Sequence, residues 1–209
     1  MENLVVLGTG NAQAVHCYNT CFALTGLELN SDETLLVDAG GGNGILLQLE
    51  KAGINSENIH NLIVTHEHTD HVLGVIWIIR TIATAMKKEK YTGNLNIYCH
   101  KELSEKIRTM CLFTLEKKFT AFFDSRILFH FIDEQEQSVQ SILGCRTEFF
   151  SILSTKAEQY GFSIDLPSGK KLTCLGDEPL NKKCTQFIEN TDWVLGEAFC
   201  RFADRDIFK

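Results

Sequence analysis

The sequence predicts a layered α/β or α+β domain in which many short strands are interspersed with helices. Three observations carry this expectation. Short apolar runs bounded by Gly, Asn and Asp turns recur along the chain, as at Asn3–Leu7, Asn61–Thr65 and Leu95–Cys99. Longer stretches with helical patterning separate them, chiefly Asn43–Ala52 and Val72 to about Lys90. A length of 209 residues, with 44% hydrophobic and 22% charged side chains, suits one domain with a sizeable core.

Taken in order, Asn3–Leu7 is a strand that Gly8-Thr9-Gly10-Asn11 breaks. Tyr18–Thr25 and Thr34–Asp38 are the next two strands, joined by the polar Asn30-Ser31-Asp32 turn. Ala39-Gly40-Gly41-Gly42 is a tight glycine turn, and the helix after it, Asn43–Ala52, is closed by Gly53. Asn61–Thr65 is a short buried strand. The helix from Val72 to about Lys90 is apolar nearly all round its first turns and charged at its end, so it runs from the interior into solvent. Leu95–Cys99 is a strand, and Lys101 to about Phe123 is helical with breaks. Ile127–Ile132 and Cys145–Leu153 are strands. Tyr160–Leu166 and Lys171–Leu175 form a hairpin around Pro167-Ser168-Gly169. Pro179–Glu189 is a short helix and Trp193–Ala198 a last strand; no internal repeat or low-complexity linker interrupts the order.

Charge and composition exclude some functions. A formal net charge of −7 repels phosphate backbones at long range, which argues against bulk nucleic-acid binding. The lysines at Lys87, Lys88 and Lys90, and at Lys117 and Lys118, are read as solvated helix ends rather than basic patches. The eight cysteines include no Cys-x-x-Cys pair and mostly sit in apolar stretches, as reduced, buried small hydrophobes of a cytoplasmic protein would. No signal peptide is visible, and the longest apolar stretch, Val72–Ile79, is too short to cross a membrane.

The chemistry concentrates in Leu62-Ile63-Val64-Thr65-His66-Glu67-His68-Thr69-Asp70-His71. A buried strand delivers a loop bearing three histidines and an aspartate, and imidazole with carboxylate suits zinc or iron-type divalent metals. His66 and His68 alternate along extended chain, so both can point to one side. Asp70 and His71 open a helix whose first turn aims them at a second point. Two ligand pairs at two points suit a two-metal site.

This His-x-His-x-Asp-His motif resembles the signature of the metallo-β-lactamase superfamily. The opening Leu7-Gly8-Thr9-Gly10-Asn11-Ala12, with Asn19-Thr20 beyond it, is similar to the start of the ribonuclease Z branch. Leu36-Val37-Asp38-Ala39-Gly40 resembles the superfamily's strand-to-turn Asp-x-Gly element, and Leu175-Gly176-Asp177 its strand end with a bridging aspartate. Leu195-Gly196-Glu197-Ala198-Phe199 resembles the branch's His-Glu-Ala-Thr element. The resemblance implies a four-layer αββα sandwich with two metals, zinc or else iron or manganese, at one edge of the paired sheets. His66 and His68 would bind one metal, Asp70 and His71 the other, and Asp177 would bridge them. Asp70 would orient or deprotonate the shared water, Asp38 would fix histidine tautomers from behind, and Glu197 would be a second catalytic acid.

The chain also departs from that pattern. None of its seven histidines lies after His130, whereas the resemblance calls for two more ligand histidines downstream. Leu153 or a neighbour stands where the first is expected, the second would fall beyond Lys209, and Gly196 replaces the histidine before Glu197. His16 is a possible substitute ligand, but reads better as a surface loop residue. Weak or partial metal occupancy is therefore expected. The missing tail fits a fragment, whereas Leu153 and Gly196, which truncation cannot explain, favour a degenerate relative. Residues 1–209 are read as one such domain lacking its last helix and strand, with self-association through the C-terminal half, where Phe199-Cys200-Arg201-Phe202, Ile207 and Phe208 add apolar groups.

The function expected is that of a metal-dependent hydrolase acting on a small-molecule or nucleotide phosphodiester, like ribonuclease Z. The alternatives are a non-catalytic binding or interaction module and a hydrolase of small esters or thioesters.

Overall fold

Strand pairing sorts the chain into two sheets. The computed structural model describes residues 2–28, 31–132, 138–154, 157–178 and 184–197. The first sheet has six strands in sequence order: β1 (Asn3–Gly8), β2 (Cys21–Thr25), β3 (Thr34–Val37), β4 (Ile59–Ile63), β5 (Leu95–His100) and β6 (Ile127–Ile132). β1, β2 and β3 pair antiparallel, whereas β3 to β6 run parallel. The second sheet orders β11 (Trp193–Leu195), β10 (Lys171–Cys174), β9 (Tyr160–Asp165), β8 (Cys145–Ser151) and β7 (Ser138–Ile142). It is antiparallel except for the β10–β11 pair.

The period-two alternation of side chains decides what each sheet buries. In β3 and β4, Leu36 and Leu62 point to the helices α1 (Gly44–Lys51), α2 (Thr69–Lys87) and α3 (Lys101–Thr114). Their neighbours Leu35, Val37 and Ile63 point the other way, onto Phe149, Phe162 and Leu172 of the second sheet. On that sheet's outer face, Phe150 and Leu175 pack with Cys184, Phe187 and Ile188 around α5 (Thr185–Ile188). Helices, sheet, sheet and helix make a four-layer αββα sandwich. Because β3, β4 and β5 are parallel, their carboxyl ends share one edge, where open α/β sheets place ligands.

Several boundaries differ from the sequence reading, for local reasons. β2 starts at Cys21 rather than Tyr18, because residues 18–20 wrap the glycine loop and Gly10 bridges Asn19. α2 starts at Thr69 rather than Val72, with His68 as its N-cap and Asp70 in its first turn, where an acid is favoured. The helical stretch after Lys101 breaks at Leu115, which is extended, and resumes as α4 (Lys117–Thr120). The second-sheet edge strand β7 was not foreseen. Its sequence, Ser-Val-Gln-Ser-Ile, is polar, and Val139 is exposed while Ile142 is buried. Cys17 is exposed, contrary to its reading as a buried thiol, while Cys21, Cys99, Cys111, Cys145, Cys174 and Cys184 are buried. The first residues of the expected 179–189 helix, Ala198, and the apolar groups at Phe199, Cys200, Phe202, Ile207 and Phe208 lie outside the described residues. Among the described residues, no helix is long and apolar enough to cross a membrane.

Candidate metal centre

The site is built where the two sheets meet at the carboxyl edge of β3 and β4. β4 ends at Ile63, and the chain then runs extended to His68, so His66 and His68 project to one side. The first turn of α2 supplies Asp70 and His71. Asp177 arrives from the other sheet, three residues past the end of β10, after a Gly176 held at φ +61°. One ligand atom each from His66, His68 and Asp177 lie within 4.8 Å of one another, and so do those from Asp70, His71 and Asp177. Asp177 belongs to both groups. Its Oδ2 is 3.1 Å from His71 Nε2 and 3.9 Å from His66 Nε2, while His66 Nε2 is 3.0 Å from His68 Nδ1.

Behind these atoms, Asp38 sets the histidine tautomers. It follows β3 at φ +54° and is 4% exposed. Its Oδ1 accepts the Thr65 N–H at 2.9 Å, and its Oδ2 accepts the Thr65 hydroxyl at 2.8 Å. The same Oδ2 lies 2.8 Å from His71 Nδ1, so Nδ1 carries the proton and Nε2 faces Asp177. With its hydroxyl hydrogen given to Asp38, Thr65 Oγ1 can only accept from His66 Nδ1, 3.0 Å away. His66 Nε2 is left as a bare lone pair. One buried carboxylate thus orients both imidazoles, directly and through Thr65.

The electrostatics follow from this arrangement. Burial, reinforced by the charge of His71, pulls His66 down to about 4 and keeps it neutral. Burial also disfavours charge on His71, but the Asp38 charge and the hydrogen bonds to Asp177 and Asp38 outweigh it and push His71 up to about 10. Burial would raise Asp177, yet the hydrogen bond from His71 holds its carboxyl below the usual range. The His71 Nε2 proton therefore sits against Asp177 Oδ2. Glu67, between the two histidines, pairs with Lys106 of α3, which lowers its carboxyl as well.

The backbone is fixed by close contacts rather than by regular structure. The Tyr18 hydroxyl lies 2.9 Å from the carbonyl oxygens of both Ala39 and Gly42, which share its single hydrogen. Its ring lies so near that a Cβ at Gly40 or Gly44 would fall 2.4 or 2.5 Å from it. Gly41 N–H donates to Asn19 Oδ1 at 3.1 Å. Helix α2 meets the same turn, with Ala39 N–H bound to the His71 carbonyl and Gly74 N–H to that of Gly40. The loop after β1 and helix α2 together clamp the turn that carries Asp38.

The structure thus brings His66, His68, Asp70, His71 and Asp177 together. Glu197 is in neither donor group; it is half-buried two residues past β11, at the same sheet end as Asp177, since Leu195 pairs with Cys174. His16 is exposed and also in neither group. Leu153 is 59% exposed at φ +54°, just after β8, and offers no donor. The donor set fits a pair of divalent cations: three imidazoles and two carboxylates, mostly buried, with the proton positions of His66 and His71 set from behind. Sequence reasoning missed Thr65 and Tyr18, which carry no spacing signal. Thr65 could have been found as the polar residue between a buried strand and the motif.

Comparisons with known proteins bear on the fold and on the family. A family model described as "Anti-Pycsar protein Apyc1" matches residues 2–204. Ribonuclease Z of Aeropyrum pernix is 29% identical over 91 residues, covering 43% of this chain and 28% of that protein. The chain spans less than half the length of the curated ribonuclease Z relatives it matches. Among solved structures, the metallo-β-lactamase fold protein YhfI from Bacillus subtilis superposes with a TM-score of 0.73 at 19% identity, covering 98% of this chain and 74% of its own. The short form of human tRNase Z gives 0.70 at 22% identity, covering 99% and 81%. These two show the metallo-β-lactamase fold, and the curated relatives show a likeness to ribonuclease Z proteins over part of the chain.

Proposed function

The chain belongs to the anti-Pycsar protein Apyc1 family, and from that premise we propose that it is a metal-dependent phosphodiesterase acting on a small nucleotide phosphodiester. The observation that carries the proposal is Asp177, shared between two three-donor groups whose other members converge from β4 and α2. His66, His68 and Asp177 would hold one divalent metal, and Asp70, His71 and Asp177 the other, with zinc, iron or manganese as candidates. Divalent metals held there would supply a water acidic enough to act near neutral pH and would offset charge on the phosphoryl oxygens.

The protein's own groups do the rest. Asp38 and Thr65 keep the Nδ1 protons of His71 and His66 turned away from the donor face. Asp70, buried beside His71 with Oδ2 3.8 Å from its Nε2, orients the attacking water or accepts its proton. Glu197, two residues past β11 at this sheet end, would serve the leaving group. The net charge of −7 favours a small substrate held by the site over a long nucleic acid held by its backbone. Named relatives that are ribonucleases favour phosphodiesters over carboxylic esters and thioesters. Residues 1–209 are read as one such domain, in the cytoplasm.

The experiment is a hydrolysis panel with added Mn²⁺ or Zn²⁺: cyclic mononucleotides, linear dinucleotides, a tRNA precursor and a thioester. Turnover of a small phosphodiester, abolished by chelator and by Asp177→Ala, supports the proposal. Thioester turnover alone would move the chain to another substrate class. A second reading, a non-catalytic binding module, is favoured by the exposed Leu153 where the resemblance calls for an imidazole. Nucleotide binding with no turnover of any substrate would select it.

A further inference from the structure

We infer that Gln159 is a positioning residue for the Asp177 carboxylate, an inference that rests on the metal-site reading above. Asp177 lies beyond the end of β10, and its side chain is 31% exposed, so neither strand pairing nor burial fixes it. Gln159 is a polar side chain only 2% exposed, placed just before β9. Its Oε1 accepts the Asp177 N–H at 3.3 Å, and its Nε2 donates to Ser154 Oγ at 3.4 Å. The amide can face only this way, because a backbone N–H donates and must meet the oxygen. Ser154 in turn donates to Glu178 Oε1 at 2.6 Å. The residues on both sides of the Asp177–Glu178 peptide are therefore bracketed by one amide and one hydroxyl.

The bracket is itself anchored to the histidine loop. The Gln159 carbonyl accepts from Ile152 N–H at 3.3 Å, and the adjacent Tyr160 N–H donates to the Thr65 carbonyl at 3.2 Å. Gln159 thus sits one residue from a bond to the segment that carries His66, and its side chain reaches the turn that carries Asp177. Gly176 completes the fit, since a Cβ there would lie 3.3 Å from Gln159 Oε1. A shared ligand has to serve both donor groups at once, and such constellations tolerate displacements of only about 0.5 Å. Gln159 holds the Asp177 turn from the position next to the Tyr160 link between the two sheets, where that tolerance is needed.

The test compares Gln159→Leu and Gln159→Glu with the unmodified chain, reading Mn²⁺ and Zn²⁺ affinity by chelator competition and the melting of the metal-free protein. Gln159→Leu is expected to weaken affinity about 10–100-fold, as loss of an outer-shell partner does. The melting of the metal-free protein stays near that of the unmodified chain. Gln159→Glu keeps an oxygen at the same reach but loses the N–H given to Ser154, and recovers part of the affinity. In an Asp177→Ala background, Gln159→Leu adds no further loss. Unchanged affinity in Gln159→Leu overturns the inference. So does an equal loss in both variants accompanied by lowered melting, which marks a packing role. If Gln159→Leu does not fold, Ser154→Ala decides instead: weaker metal binding supports the bracket, and unchanged binding overturns it. Absence of metal binding by the unmodified chain overturns the metal reading, and the inference with it.

Discussion

Asp38→Asn isolates the tautomer argument with little change of shape. Asp38 sits at φ +54°, a left-handed conformation that Asn adopts readily, so the backbone should tolerate the change. Asn offers one acceptor and one amino group where the carboxylate offers two acceptors. The Thr65 N–H, a donor, claims the oxygen, which leaves the amino group facing Thr65 Oγ1 and His71 Nδ1. His71 Nδ1 must then accept, and its single proton moves to Nε2, the atom that faces Asp177. Ligation through that nitrogen is blocked. Metal affinity should fall about 10–100-fold, equivalent to about 1.4–2.8 kcal/mol. The fold should also lose about 2–3 kcal/mol, because charge-assisted hydrogen bonds to a buried carboxylate disappear. Chelator competition measures the first effect and urea denaturation at pH 7 the second. NMR titration of His71 adds a third reading: without the Asp38 charge, burial should carry it well below its value of about 10. A variant that binds metal within about twofold of the unmodified chain, with His71 unmoved, would refute the reasoning.

Thr65→Val keeps the shape of the relay and removes its hydroxyl, so His66 loses the acceptor that sets its tautomer; metal affinity should drop roughly tenfold, with Asp38→Asn and Thr65→Val less than additive in a double-mutant cycle. Gly74→Ala would put a Cβ 1.8 Å from the Ala39 carbonyl oxygen, and a urea midpoint should report a loss of about 3 kcal/mol. Metal-free stability should peak near pH 6.5. His71, raised from 6.5 to about 10, contributes fully below 6.5 and loses that contribution as pH rises through about 10. His66, lowered to about 4, contributes above 6.5 and loses it as pH falls through about 4. Melting of the metal-free protein that rises steadily from pH 6.5 to 10 would contradict the His71 assignment. Metal binding at pH 7 should release about one proton, the one His71 holds against Asp177, which calorimetry in buffers of different ionisation enthalpy can count.

The side chains that converge were legible in the sequence because their chemistry is carried by residue type at fixed spacing. The alternation of His66 and His68, and the helix start beside Asp70, both follow from local backbone geometry. Asp177 lies 106 residues from His71, and only the resemblance joined it to the motif. The groups that hold the donors were not legible. Thr65, Tyr18 and Gln159 act through single hydrogen bonds to groups distant in sequence, and nothing in their neighbours marks them. The fold shows the same division. Continuous apolar strands such as β3 were placed within a residue, since burial on both faces leaves an unbroken signal. The edge strand β7, half-exposed and polar, left none.

The central claim is that Asp177 is common to two metal positions, and metal stoichiometry tests it most directly. Native mass spectrometry of the folded chain, titrated with Zn²⁺ or Mn²⁺ in excess, should resolve up to two cations per chain. Asp177→Ala should weaken both together, since it removes a donor from each group. Two cations retained at full affinity after Asp177→Ala, or none bound by the unmodified chain at any metal concentration, would contradict the account.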